Sequence, residues 1–186
     1  MISLSCSANA QFIGINVDYG IGYSAAPGKV DGYSVGISHP APFIPNIGYS
    51  YVSFIDKESI TNPSDNSSVS LETTTTIKTI NLFYNIPFPV VTITVGFGYG
   101  ADNLYTGVET ITTIDQVESN LETSVSEAFF HIGLPFWNTI EFHLGYHFMS
   151  FSSIDITKSD KFQGKYPTVK KSYSGGMTTI GVQVAF

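Results

Sequence analysis

Eight stretches of apolar/polar alternation, a charged fraction of only 12% and abundant Gly, Tyr and Phe predict one fold class. The chain reads as all-β, an eight-stranded antiparallel up-and-down transmembrane β-barrel. Alternation at period 2 sends successive side chains to opposite faces of a strand. No interval carries a helical period, and no apolar run approaches the roughly 18 residues of a transmembrane helix.

The strands follow one another with the same pattern. Residues 12–24 set Ile13, Ile15, Val17, Tyr19, Ile21 and Tyr23 against Gly14, Asn16, Asp18, Gly20 and Gly22. Residues 30–39 alternate Tyr33, Val35 and Ile37 with Gly32, Ser34, Gly36 and Ser38, and residues 47–54 set Ile47, Tyr49 and Tyr51 against Gly48 and Ser50. In residues 76–85, Ile80, Leu82 and Tyr84 oppose Thr79, Asn81 and an exceptional inward Phe83. Residues 90–102 give Val91, Ile93, Val95, Phe97 and Tyr99 against Thr92, Thr94, Gly96, Gly98 and Gly100. Residues 124–134 place Ala128, Phe130, Ile132 and Leu134 opposite Glu127, His131 and Gly133, with Phe129 a second inward aromatic. Residues 139–151 place Ile140, Phe142, Leu144, Tyr146 and Phe148 opposite Glu141, His143, Gly145 and His147. Residues 176–186 form the last strand, which ends on Phe186.

The connections alternate in character. Three are short, apolar and share a Pro-Phe core: residues 39–46, 85–90 and 134–138. The others, residues 25–29, 55–70, 103–120 and 153–174, are polar and mostly longer. Short turns at one end and long loops at the other are the habit of outer-membrane barrels, which puts both termini on the periplasmic side.

The bulk of the apolar face decides between a lipid and an aqueous surrounding. A soluble barrel of the lipocalin kind keeps its apolar face inside. Here one face is continuous, bulky and aromatic, and the other is largely Gly, Ser, Thr and Asn, so lipid is expected on the bulky face. Two aromatic belts are expected at the interfaces. Phe43, Tyr84, Phe88, Phe136, Trp137 and Phe186 fall at the turn side, and Tyr23, Tyr33, Tyr51, Phe54, Tyr99 and Phe148 near the loop side.

Composition excludes several classes. The net charge of −7, with lysine as the sole basic residue type, leaves no basic face for nucleic acid. A single cysteine, Cys6, provides neither a disulfide framework nor a cysteine metal site. Residues 1–10 read as the tail of a secretory signal or as a disordered arm, with Ala8-Asn9-Ala10 in the small-x-small form of a cleavage site. Residues 11–186 form the barrel domain.

Thr179, Gly181, Val184 and Phe186 resemble the C-terminal signal of outer-membrane proteins, polar, any, Gly, any, any, hydrophobic, any, aromatic. That resemblance implies the barrel assembly machinery as a partner during biogenesis. The turn His39-Pro-Ala-Pro-Phe-Ile-Pro-Asn46, followed later by Ile80-Asn-Leu-Phe-Tyr84, resembles a family of uncharacterised bacterial outer-membrane β-barrel proteins. The architecture is similar to small OmpA/OmpX-type barrels. Gly48 departs from the family, where Arg is usual. The resemblance implies a fold and an outer-membrane location, and no activity.

One group of residues concentrates chemistry: Asp18, Glu127, His131, Glu141, His143 and His147. A tight 134–138 hairpin is expected to bring Glu127 to His147, and His131 to Glu141 or His143. Carboxylates beside imidazoles suit a proton relay or a divalent metal, but also a packed polar lumen whose charges are paired. The latter is the reading adopted, with no catalytic residue, metal or cofactor assigned. Numerous inward glycines leave room either for a slender tunnel or for neighbouring side chains. His147 and Ser150 invite comparison with barrel-embedded lipid A hydrolases, yet a spacing of three residues puts them on opposite faces of a regular strand. Lys158, Lys161, Lys165, Lys170 and Lys171 cluster in the last loop, which reads as a solvated loop or as a cationic surface whose partner is lipopolysaccharide phosphate. The expected protein is therefore a monomeric outer-membrane barrel with a structural or surface-interaction role. The alternatives are a narrow channel or small-solute or metal binder using the His/Glu lumen, and third a lipid A-modifying enzyme.

Overall fold

The computed structural model describes residues 13–24, 28–41, 43–61, 68–100, 108–112, 117–121, 124–137, 139–155 and 170–186. The expected signal tail and Lys158, Lys161 and Lys165 lie outside the described residues. Lys170 and Lys171 are described in backbone only.

Ten strands form one sheet: β1 (Gly14–Ser24), β2 (Gly28–Ser38), β3 (Asn46–Thr61), β4 (Ser68–Pro87), β5 (Thr92–Gly100), β6 (Val108–Thr112), β7 (Val117–Leu121), β8 (Val125–Trp137), β9 (Ile140–Asp155) and β10 (Lys170–Ala185). Eight of them close on themselves in the order β1-β2-β3-β4-β5-β8-β9-β10, every pair antiparallel. The closing seam runs from Gly14 opposite Ala185 to Ser24 opposite Gly175, and the Phe186 amide adds a 2.9 Å bond to the Ile13 carbonyl. An eight-stranded antiparallel barrel is thus the fold, and its closure leaves no unpaired edge around the ring.

The strands run further than alternation indicates. Residues 55–61 and 68–74 continue the β3–β4 ladder through Thr61 opposite Ser68. β9 and β10 likewise extend to Asp155 opposite Lys170. The connection 103–120 contains the β6–β7 hairpin, and β6 takes over β4 at residues 73–77, beyond the end of β5. These segments were expected as loops because they lack a consistently apolar face. Ladder hydrogen bonds and β-branched Thr and Ile residues suffice to extend them.

The turn between β2 and β3 explains its own composition. The His39 amide donates to Asn46 Oδ1 (2.9 Å), and the ring of His39 spans the turn. Its Nε2–H donates to the Pro45 carbonyl (3.3 Å), while Nδ1 accepts from the Ala41 amide (3.2 Å). Three prolines leave few amides to satisfy there, and one imidazole meets much of the demand.

Side chains divide cleanly between the two faces. Ile15, Tyr19, Leu82, Phe97, Phe130, Leu144 and Ile180 are among a continuous apolar exterior, each exposed by 47–66%. Phe43, Tyr84, Phe88, Phe136, Trp137 and Phe186 are all exposed at the turn end. Phe54 is a correction: it is buried in the lumen, because β3 exposes odd-numbered residues and 54 is even. It belongs to an apolar layer with Val30, Val52, Ile77, Val125, Met149 and Met177 that fills the loop end of the lumen. The lumen is thus not uniformly small and polar.

Candidate functional site

The polar half of the lumen lies between that apolar layer and the turns. Its geometry depends on which residues face glycines. Across β1, β10, β9 and β8 the register aligns Asp18, Gly181, His143 and Gly133. The next inward row aligns Gly20, Thr179, Gly145 and His131. Large and absent side chains therefore alternate around the wall. A Cβ at Gly181 would strike Asp18, one at Gly145 the ring of His131, and one at Gly133 the carboxylate of Glu141. Gly96 makes the same space for Phe129, and Gly98 for Asn81 and Glu127. The inward glycines are sockets for neighbouring side chains, and the tunnel they suggested is occupied by those side chains. Eight strands enclose little more than their own side chains.

Two hydrogen-bonded chains run through this packing. In the first, Glu127 Oε1 accepts from His147 Nδ1 (2.5 Å), and His147 Nε2 meets His131 Nε2 at 2.8 Å. The hydroxyl of Thr79 closes on the other oxygen of Glu127. In the second, His143 Nε2 donates to Glu141 Oε1 (2.9 Å), and Glu141 Oε2 accepts from Thr92 (2.5 Å). Asp18 lies between them, its Oδ1 3.5 Å from His143 Nδ1 and 3.9 Å from His131 Nδ1, with Oδ2 receiving the Ser34 hydroxyl at 3.4 Å.

Glu127 thus lies beside His147, and His143 beside Glu141. His131 goes elsewhere than expected: its hydrogen bond is to His147, because it lies opposite Gly145 and reaches past that gap. Asp18 is the hub, two strands away from His143. Phe129 stacks on His147 with centroids 4.8 Å apart and planes 9° from parallel, and Phe83 leans on Phe129 at 6.3 Å. A cavity of about 20 Å³ remains beside Asn16, Asp18, Asn81, Phe83, Phe129 and His131. Asn16 Oδ1, Asp18 Oδ1, His131 Nδ1, His143 Nδ1 and Thr179 Oγ1 are buried without a hydrogen-bond partner. His147 is wholly inside, and Ser150 occupies an outward position of β9, so the two form no nucleophile and base pair.

Sequence reading overlooked the supporting shell of Ser34, Thr79, Thr92 and Asn81, whose amide donates to Ser50 at 2.6 Å. Their signal was parity: each falls in the inward phase of its own strand, Ser34 with Gly32 and Gly36, Thr79 with Asn81, and Thr92 with Thr94. Met149 and Val125 carry that signal too, two residues from His147 and Glu127.

Fold and lumen define a class: a small closed barrel with an apolar exterior and a side-chain-filled interior. Among solved structures this chain is similar to neisserial surface protein A, over 94% of this chain and 96% of that one, with a TM-score of 0.56 and 10% identity. It is similar also to the N-terminal β-barrel domain of OprF from Pseudomonas aeruginosa, over 93% of this chain and 97% of that one, with a TM-score of 0.50 and 11% identity. At such identities the likeness is one of fold. No protein-family model matches the chain, and no curated protein matches it in sequence.

Proposed function

We propose that the protein is an integral barrel of the bacterial outer membrane, of the small OmpA/OmpX-type architecture, with a structural or surface-interaction role. The observation that carries this reading is the inverted barrel: bulky apolar residues cover the outside while carboxylates and imidazoles are buried inside. In water such an exterior would aggregate; in lipid it is the favourable arrangement. β4 has 20 residues. At about 3.3 Å per residue and a tilt near 45° it reaches about 47 Å, well beyond an apolar band of roughly 25 Å. The β3–β4, β4–β6–β7 and β9–β10 extensions then stand clear of the bilayer as a surface for contact. Similarity to a protein named for the cell surface agrees with that placement.

Lipopolysaccharide is the partner proposed for Lys158, Lys161, Lys165, Lys170 and Lys171. The assembly machinery is proposed to read Thr179, Gly181, Val184 and Phe186, and the barrel is proposed to act as a monomer. Protein extracted with detergent is expected to migrate faster on a gel unboiled than boiled, and to show no conductance in planar bilayers. Solubility without detergent would sink the membrane reading, and stable conductance would sink the closed-lumen reading.

A further inference from the structure

We propose that Asp18, His131 and His143 bind one divalent first-row transition-metal ion inside the lumen. One ligand atom from each of the three lies within 4.8 Å of the others, and Asp18 Oδ1 is 3.5 Å from His143 Nδ1 and 3.9 Å from His131 Nδ1. The three residues are at most 4% exposed, and none of these atoms has a hydrogen bond.

The hydrogen bonds on the far side of each ring determine what the near side presents. Glu127 as a carboxylate can only accept, so His147 Nδ1 carries the proton and its Nε2 holds a lone pair. His131 must then donate through Nε2, which leaves its Nδ1 bare. In its neutral form His143 likewise gives its Nε2 proton to Glu141 and has a bare Nδ1. With both rings neutral, two nitrogen lone pairs and a carboxylate oxygen converge with no hydrogen between them. A second proton on His143, facing Asp18, or a metal ion relieves that repulsion, and zinc uptake by the folded protein distinguishes the two.

The spacing suits a metal. Tetrahedral coordination with bonds of about 2.1 Å separates ligand atoms by about 3.4 Å. Asp18 and His143 are already 3.5 Å apart, and His131 must close by about 0.5 Å from 3.9 Å. Each ligand histidine has an outer hydrogen-bond partner that orients it, directly a carboxylate for His143 and through His147 for His131. The cavity beside Asp18 and His131 has room for about one water, and Asn16 Oδ1 faces it as an acceptor without a donor. A fourth, aqueous ligand therefore fits. Imidazole with carboxylate and no thiolate selects Zn²⁺, Co²⁺, Ni²⁺ or Cu²⁺ over Mg²⁺ and Ca²⁺. Such an ion would staple β1 to β8 and β9 across β10.

The test uses tag-free, chelator-treated, detergent-folded protein, titrated with ZnCl₂ by calorimetry and with CoCl₂ by visible absorption. One equivalent of each is expected to bind, with cobalt giving the intense bands of a tetrahedral site. Asp18→Asn, His131→Gln and His143→Gln should each weaken binding by more than about 100-fold, and His147→Gln by about 10–100-fold. His39→Gln, in the turn, should leave binding unchanged. Gel mobility identifies variants that remain folded. X-ray absorption of zinc-loaded wild-type protein needs no variant, and is expected to read two imidazoles with oxygen donors. No zinc uptake by the folded wild type, uptake undiminished in folded ligand variants, loss of uptake in folded His39→Gln, or sulfur in the zinc shell would each overturn the proposal.

Discussion

Asp18 and His143 belong to strands that do not pair, yet Asp18 Oδ1 comes within 3.5 Å of His143 Nδ1 across Gly181. The contact exists because β10 presents no side chain at that point. A Cβ on Gly181 would meet both the Asp18 carboxylate and the Val17 carbonyl, and the latter cannot swing aside. Gly181→Ala should therefore destabilise the barrel by about 1–3 kcal/mol. Urea unfolding in lipid vesicles, followed by the fluorescence of Trp137, measures this. Refolding in vitro proceeds without cellular factors, so a loss seen there reports packing at Gly181. An unchanged midpoint would refute the socket.

Phe129 is the largest side chain among the polar groups, buried against His147 and Phe83 and seated over Gly96. Phe129→Ala would leave a cavity that a rigid eight-stranded wall cannot collapse, with a cost of about 3–5 kcal/mol. Phe129→Ala with Gly96→Leu should recover part of it, since the added side chain enters the same volume. Equal stability of the single and double variants would show that the volume is not shared.

The sequence revealed the ring more fully than its contents. Period 2 placed all eight barrel strands because exterior and lumen demand opposite side chains on opposite faces, and Ile13 through Tyr23 already show it. It missed the upper β3–β4 ladder, residues 55–61 and 68–74, where the sequence has no consistently apolar face and alternation carries no information. It assigned Phe54 outward because an aromatic near a strand end suits an interface belt, although its even number places it with Ser50 and Val52. The lumen residues were identifiable by parity, but Asp18 as hub was not. That depends on the register of β1, β10 and β9 together, which alternation within single strands cannot supply.

Glu127 and His147 form the most enclosed carboxylate–imidazole pair among the described residues, both almost without exposure. Glu127→Ala would strand the His147 Nδ1–H in a dry site, while the Thr79 hydroxyl keeps Asn81 Oδ1 at 3.0 Å as its acceptor. Leaving a buried donor unpaired costs about 1–3 kcal/mol. His147→Phe on that background removes the stranded donor and preserves stacking on Phe129. The double variant should be more stable than the sum of the single losses, with a coupling of about 0.5–3 kcal/mol. Chemical denaturation of the four proteins in one detergent measures the cycle. Strict additivity would mean the two groups do not depend on one another.

Leu144 tests which solvent the exterior meets. It is 57% exposed and lies between Phe142 on the turn side and Tyr146 on the loop side of β9. In a bilayer this position is near the apolar midplane, where Leu144→Arg should cost about 2–4 kcal/mol. Val90, 69% exposed in the turn before β5, lies at the interface, and Val90→Arg should cost only about 0–1 kcal/mol. The same substitutions on a water-facing surface would be close to neutral at both sites. Reversible unfolding in phospholipid vesicles reads the difference directly. A depth gradient between the two positions is the signature of lipid. Equal, small effects would place the apolar face against something other than a membrane.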